Sequence, residues 1–240
     1  MREGAGMTDE LQGRRALVTG GTGALGRAVV ERLLNAGAAV HCTWVDRKEA
    51  DKMEAALGDR VRLHQADVTS EPAVTELFDA LDRDGGVQVL ANVVGGFFSG
   101  SLDETDGKTW SRMLAMNSTS AFLCSRAAAA HMRRGNWGRI INVAAAPALD
   151  HGAADMSAYA ASKAAVLNLT ESLAKELAAD GITANAIVPS IIDTPANRKA
   201  MPDADRRTWL TPSEIAAVVA FLASDSAAIV TGTAVRLSRG

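Results

Sequence analysis

Apolar residues in this chain fall into short runs, separated by stretches in which they recur every three or four positions. Ala16-Leu17-Val18 is one such run, and Ala28-Val29-Val30 and Leu33-Leu34 follow it at helical spacing. Continued along the chain, the pattern predicts strands over 16–19, 39–44, 61–64, 87–92, 139–143, 183–188 and 234–237. It predicts helices over 24–35, 48–57, 72–82, 109–132, 157–179 and 212–222. Short apolar strands alternating with helices predict an α/β fold: a doubly wound parallel sheet of about seven strands with helices on both faces. The segment 196–208 is polar and contains Pro202, so it reads as a mobile lid. No repeat or long linker interrupts the pattern. Residues 13–240 therefore read as one domain and residues 1–12 as a flexible leader.

The predicted helix from Ser157 has one apolar stripe at Val166, Leu169, Leu173 and Leu177. A face of smaller residues lies at Ala160, Ala164 and Leu167. One face can cover the sheet while the other meets a second subunit.

Bulk properties narrow the function. With 240 residues, 48% hydrophobic and 22% charged, the chain can bury a large core. A net charge of −3 gives no broad basic face for nucleic acid or anionic lipid. Cys42 and Cys124 are the only cysteines and are far apart, which suits a reducing cytoplasm and argues against a disulfide framework. His41, His64, His131 and His151 show no ligand-like spacing, so no metal site is expected. No apolar run approaches the ~18 residues of a membrane span, and the N-terminus lacks the apolar core of a signal peptide.

Two motifs carry chemistry. Gly20-Gly21-Thr22-Gly23-Ala24-Leu25-Gly26 lies between a predicted strand and a predicted helix, the context of a dinucleotide-binding turn in a Rossmann fold. Gly20 would make the tight turn, Gly23 would admit a pyrophosphate, and Gly26 would let the helix pack closely. The helix N-terminus would offer N–H donors to the phosphates. The second motif, Tyr159-Ala160-Ala161-Ser162-Lys163, sets a phenol and an ammonium one helical turn apart on the same face. A neighbouring ammonium favours the phenolate; lowering a Tyr pKa by about three units takes about 4 kcal/mol.

With these motifs the chain, from about Gly13 onward, resembles the short-chain dehydrogenase/reductase family. Further landmarks lie in the family's order: Asp67-Val68, Asn92-Val93-Val94-Gly95-Gly96, Asn117, Val188-Pro189 through Ile192 and Thr194, and Phe221-Leu222-Ala223-Ser224-Asp225 before Thr231-Gly232. The resemblance implies an NAD(P)-dependent oxidoreductase acting on a small organic substrate, and a homodimer or homotetramer. It implies Tyr159 as proton donor or acceptor, Lys163 as its modulator and ribose ligand, and Asn117 as the relay residue that holds a water. Gly20, Thr22, Gly23, Ala24, Leu25, Gly26, Trp44, Asp46, Asp67, Val68, Asn92, Val93, Pro189, Ile192 and Thr194 are implied to contact the cofactor, together with Tyr159 and Lys163.

The departures are as informative. Most of the family carries a Ser in the turn after strand five that hydrogen-bonds the substrate carbonyl. Here the turn reads Ala144-Ala145-Ala146-Pro147. Losing one oxyanion donor costs about 3–4 kcal/mol in comparable sites. Three explanations stand open: a substrate that is easy to reduce, replacement of the hydroxyl by Asp150 or His151, or cofactor binding without turnover in a sensor or scaffold. The first has local support. The 144–152 run with Met156, the glycine turn and Val94-Gly95-Gly96 resemble dihydropteridine reductases, which also lack the Ser and reduce a quinonoid ring. Trp44 stands where the ribose-binding acid often lies, with Asp46 two residues on and Arg47 and Lys48 beyond. The balance leans to NADH over NADPH.

Overall fold

The computed structural model describes residues 10–239. Among them, seven strands form one parallel sheet: β1 (Arg15–Thr19), β2 (Ala39–Trp44), β3 (Val61–Gln65), β4 (Val89–Asn92), β5 (Gly138–Val143), β6 (Ile182–Pro189) and β7 (Ala234–Leu237). Their order is β3-β2-β1-β4-β5-β6-β7. The helices are α1 (Ala24–Asn35), α2 (Arg47–Leu57), α3 (Glu71–Arg83), α4 (Gly107–Leu114), α5 (Ser120–Arg133), α6 (Ala146–Leu149), α7 (Ser157–Glu176), α8 (Pro195–Ala200) and α9 (Pro212–Ala223). This is the doubly wound α/β architecture expected from the alternation of elements.

Strand side chains alternate between two buried layers, which is why the strands read as continuous apolar runs. Ala16, Val18, Val89, Ala91 and Ile141 pack with Val29 and Leu33 of α1 and Val219 of α9. Leu17, Leu90 and Ile140 point the other way, onto Leu77 and Phe78 of α3, Leu123 of α5 and Leu173 of α7. The stripe on α7 thus covers the sheet, while Ala164 on its smaller-residue face is exposed.

Chain direction across the sheet reverses between β1 and β4. There the following segments diverge and open a crevice at the C-terminal strand ends. The Thr19 hydroxyl holds the two ends together by accepting the N–H groups of Val93 and Val94 at 3.0 and 3.1 Å. Behind the crevice, buried amides cross the sheet. Asn92 Nδ2 donates to Asn142 Oδ1 at 2.8 Å and Ser125 Oγ at 3.1 Å, and Asn142 Nδ2 donates to Thr170 Oγ1 at 2.9 Å.

Several expectations need correction. The single helix expected over 109–132 is α4 and α5 joined by a π turn at Ala115–Thr119. The hydroxyls of Ser118 and Ser120 donate to the carbonyls of Leu114 and Met116, serving acceptors at the irregular turn. Two short helices, α6 and α8, lie in segments expected to be loops. Each has Pro in its first turn, where the missing N–H costs nothing. Of the leader, residues 1–9 lie outside the described residues. Leu11 is buried and donates its N–H to the Ala36 carbonyl, so the packed chain begins before Gly13. No helix among the described residues is long and apolar enough to cross a membrane.

Asn142→Ala should remove one acceptor of the Asn92 amide and the donor to the Thr170 hydroxyl, two buried hydrogen bonds at once. We expect a loss of about 2–3 kcal/mol, seen in thermal unfolding as a Tm lowered by about 5–10 °C.

Candidate functional site

The crevice is a cleft of about 840 Å³ running from the β2 end to the loop after β4. Its floor is the glycine turn. Gly20 has φ of +63°, a conformation that glycine adopts without strain, and its N–H donates to Thr43 Oγ1 at 2.9 Å. A Cβ on Gly26 would fall 2.1 Å from the Gly20 carbonyl oxygen, so α1 packs against the turn only because that atom is absent. At Gly23 the nearest atom to a Cβ would be 3.5 Å away. Gly23 is also the N-cap of α1 and offers no side-chain hydrogen bond, and the first turn carries no acid. The N–H groups of that first turn therefore remain available to an anion from the cleft, and the residues present fit a dinucleotide pyrophosphate.

The cleft gathers most of the expected cofactor residues: Gly20, Thr22, Gly23, Ala24, Leu25 and Gly26 of the turn, Trp44 and Asp46 after β2, Asp67 and Val68 after β3, Val93, and Thr194. Asn92, Pro189 and Ile192 do not line it. Asn92 is buried in the sheet network, Pro189 closes β6, and Ile192 pairs with Leu210 in an isolated bridge. The sequence reading missed Thr43, Glu49, Val94, Gly95, Met116 and Pro195, all of which line the cleft. The Gly95-Gly96 pair and the polar turn after β2 were the available signals. Thr194 also caps α8, so the first part of the expected lid is a helix whose start forms part of the cleft wall.

All the ionisable residues lining the cleft are acids: Asp46, Glu49 and Asp67. Asp46 caps α2 by accepting the Lys48 N–H at 2.8 Å. Arg47, the nearest candidate for a phosphate, is paired with Asp51 at 2.7 Å and Glu54 at 3.3 Å and lies over the Trp44 ring.

The Tyr159 ring packs on Phe97, and the Lys163 and Asn117 side chains adjoin the far end of this cleft at Gly95. A Cβ there would be 2.8 Å from Asn117 Oδ1 and 3.1 Å from Lys163 Nζ. Asn117, in the π turn, holds the neighbouring glycine on both sides: its Oδ1 accepts the Gly96 N–H at 2.9 Å and its Nδ2 donates to the Gly96 carbonyl at 3.1 Å. The same Nδ2 donates to Ser162 Oγ at 2.9 Å, and Ser162 Oγ donates to the Tyr159 carbonyl at 2.7 Å. One buried amide thus couples the glycine turn to α7.

The electrostatics run against the simple ammonium–phenolate expectation. Lys163 is buried and donates to the Val143 carbonyl at 2.7 Å. Burial pulls its pKa down to about 8 and pushes the Tyr159 phenol up to about 12. Desolvation of each group outweighs any attraction between their charged forms.

Beside them the turn after β5 carries no hydroxyl: Ala144 and Ala145 are buried, and Ala145 opens α6 in extended conformation. Asp150 does not replace the missing donor, because it is paired with Arg236, which holds its carboxyl below the usual carboxylate range. His151 is exposed with φ of +64°. Among the described residues, no group of three or more His, Cys, Asp or Glu is placed to hold a metal.

Such a cleft, with half-buried Tyr159 and buried Lys163 near its far end on one face of α7, fits an oxidoreductase of the short-chain type. The comparisons agree, and the chain belongs to the short-chain dehydrogenase/reductase family. The family model described as enoyl-(acyl carrier protein) reductase matches residues 21–240. The chain is 35% identical to a 3-oxoacyl-(acyl-carrier-protein) reductase of Vibrio cholerae, across 96% of this chain and 98% of the relative. It is 38% identical to galactitol 2-dehydrogenase of Rhizobium johnstonii, across 96% and 95%. Among solved structures, a putative gluconate dehydrogenase from Agrobacterium tumefaciens superposes with a TM-score of 0.89 at 30% identity, covering 96% of each chain. NAD+-bound xylitol dehydrogenase superposes with a TM-score of 0.88 at 29% identity, covering 96% of this chain and 99% of that one.

The buried Lys163 predicts a pH signature. Its folded pKa of about 8 lies below the unfolded value of about 10.5, so the unfolded chain binds more protons between those limits. Its burial therefore costs stability below pH 8, and that cost is relieved as pH rises. The unfolding free energy of the wild type minus that of Lys163→Met should rise by about 3 kcal/mol from pH 7.5 to 10.5. Chemical denaturation of both proteins across that range is the check; a flat difference would contradict the burial account.

Proposed function

We propose that this protein is an NADH-dependent oxidoreductase that reduces a small, readily reduced organic substrate, with Tyr159 delivering the proton. The observation that carries the reading is Gly95. It lines the cofactor cleft, and a Cβ there would lie 3.1 Å from Lys163 Nζ. Cofactor cleft and proton relay therefore meet at one glycine.

A bound dihydronicotinamide supplies the hydride. The chain's part is to bind, orient and move a proton. The first turn of α1 holds the pyrophosphate, and Asp46 receives the adenosine ribose hydroxyls. Lys163 binds the nicotinamide ribose and, when protonated, favours the phenolate left when Tyr159 has given up its proton. Asn117 fixes both the glycine turn and α7 around the reacting atoms. The substrate gains one hydride and one proton, a two-electron reduction.

NADH, rather than NADPH, is supported by the acidic lining at Asp46 and Glu49, and by Arg47 being occupied by Asp51 and Glu54. The NAD+ named in the xylitol dehydrogenase structure accords with this. Ala144-Ala145-Ala146 supports a substrate that delocalises its own developing charge, of which a quinonoid dihydropteridine is the model compound. The same alanines, with the phenol pushed up to about 12, favour a second reading: a protein that binds NAD(H) without turnover. We place the enzyme in the cytoplasm, consistent with its buried free thiols. Self-association as a dimer or tetramer would cover the exposed Trp110 of α4 and Phe122 of α5.

NADH oxidation with a quinonoid dihydropteridine and a panel of simple ketones separates the two readings. Tyr159→Phe should lower turnover by about a thousandfold and leave the NADH Kd within about threefold. Measurable NADH binding with no Tyr159-dependent turnover on any substrate would favour the binder. Glu49→Arg should raise the NADPH-to-NADH ratio of kcat/KM about tenfold or more, corresponding to about 1.4 kcal/mol or more. An unchanged ratio would remove the acidic lining as the basis of cofactor choice.

A further inference from the structure

One large apolar side chain stands at the relay without a role in the account so far. Phe97 follows the Gly95-Gly96 pair and is 62% exposed. Its ring lies edge-to-face with Tyr159, the centroids 5.0 Å apart and the planes at 76°. Scattered exposed apolar residues are ordinary on a protein surface, but this one is anchored at both ends of a short loop. On its N-terminal side, Asn117 takes both the N–H and the carbonyl of Gly96. On its C-terminal side, the Gly100 N–H donates to the Asp155 carbonyl at 2.7 Å, tying the loop to the segment that leads into α7. Two anchors therefore present an exposed aromatic ring against the phenol that is to move the proton.

A second, independent observation bears on what the ring could meet. The turn after β5 offers no hydroxyl, and Asp150, in the segment that follows it, is occupied by Arg236. A saturated ketone reduced here would build charge on one oxygen with no donor from that turn. A conjugated ring spreads that charge over its own atoms and presents a flat π face. Aromatic faces and edges attract one another in offset or edge-to-face arrangements.

We propose that Phe97 is a specificity-determining stacking residue, and that with Tyr159 it forms a subsite for planar conjugated ring compounds such as quinonoid heterocycles and quinones. The proposal rests on the oxidoreductase reading above and names its substrate class. Phe97 holds the ring by its face, Tyr159 meets the atom that receives the proton, and substrate conjugation takes over the work of the absent hydroxyl. Saturated ketones such as cyclohexanone, which can accept a hydride but lack such a face, are the contrast substrates.

The test pairs a binding measurement with a kinetic one, using wild type, Phe97→Ala and Phe97→Trp. Binding of 2-naphthol, a planar and unreactive probe, is followed by fluorescence with NAD+ present. We expect its Kd to rise about tenfold in Phe97→Ala and to return to within threefold in Phe97→Trp, with the NADH Kd unchanged in both. With a quinonoid dihydropteridine, the alanine variant should raise KM about tenfold with kcat within threefold, and wild-type kcat/KM should exceed that for cyclohexanone about a hundredfold. An unchanged naphthol Kd in Phe97→Ala, a Trp variant as weak as the Ala variant, or equal effects on planar and saturated substrates would overturn the proposal. Naphthol binding that depends on Phe97, with no turnover of any substrate, would support the planar subsite and overturn the oxidoreductase reading instead.

Discussion

A single buried amide organises this site. Asn117 satisfies both hydrogen-bonding groups of the Gly96 peptide and reaches, through Ser162, the backbone of Tyr159. A buried amide left unpaired costs more than a neutral hydrogen bond contributes, so each partner of Asn117 constrains the others. The glycine turn after β4 cannot drift without uncovering the amide. Nor can α7 rotate without losing the Ser162 link. The π turn at Ala115–Thr119 is part of the same constraint, because it carries Asn117 between α4 and α5. Through this one group the glycine turn, α7 and the start of the loop bearing Phe97 are held in register.

The sheet supplies the place where that constraint acts. Reversal of strand order between β1 and β4 opens the crevice, and the Thr19 hydroxyl fixes its width by bonding the first two residues after β4. Gly26 brings α1 against the turn so closely that its uncapped N-terminus faces the cleft. The anion-binding end and the relay end are thus built on rigid strands. The segments that vary the chemistry, 97–100, 144–156 and α8, are the connections around them. The family likeness extends over nearly the whole chain, and the alanines after β5 stand where the resemblance leads one to expect a hydroxyl.

This division explains what the sequence could disclose. Buried parallel strands read as apolar runs because both faces are covered, so β2, β7 and α1 were located to the residue. The glycine turn and the Tyr159–Lys163 pair were legible because a few residue types at fixed spacing specify them. The π turn was not: Ser118 and Ser120 look like ordinary helix residues until their hydroxyls are seen to answer carbonyls. The side chain of Asn92 shows a related limit. It lies next to the cleft in sequence, yet its amide faces Asn142 across the sheet, a pairing set by register between strands fifty residues apart. Thr43, at the end of β2, and Glu49, in the first turn of α2, enter the cleft through the path of the chain around the strand end, which no local pattern encodes.

The widest gap between sequence and structure concerns charge. Residue spacing places an ammonium one turn from a phenol and suggests that the phenol loses its proton easily. In the folded chain, burial opposes the charged form of each group, and Lys163 donates to Val143. Raising the Tyr159 phenol from about 10 to about 12 corresponds to about 2.7 kcal/mol favouring its protonated form. A phenol that retains its proton at neutral pH has one to give, but burial makes it a weaker acid, so it yields that proton only to a strongly basic atom. That resting state suits reduction, in which the substrate acquires enough basicity to draw the proton from Tyr159. It also fits the absence of a hydroxyl in the turn after β5. A substrate whose own conjugation carries the developing charge needs a proton donor beside it more than it needs an oxyanion clamp.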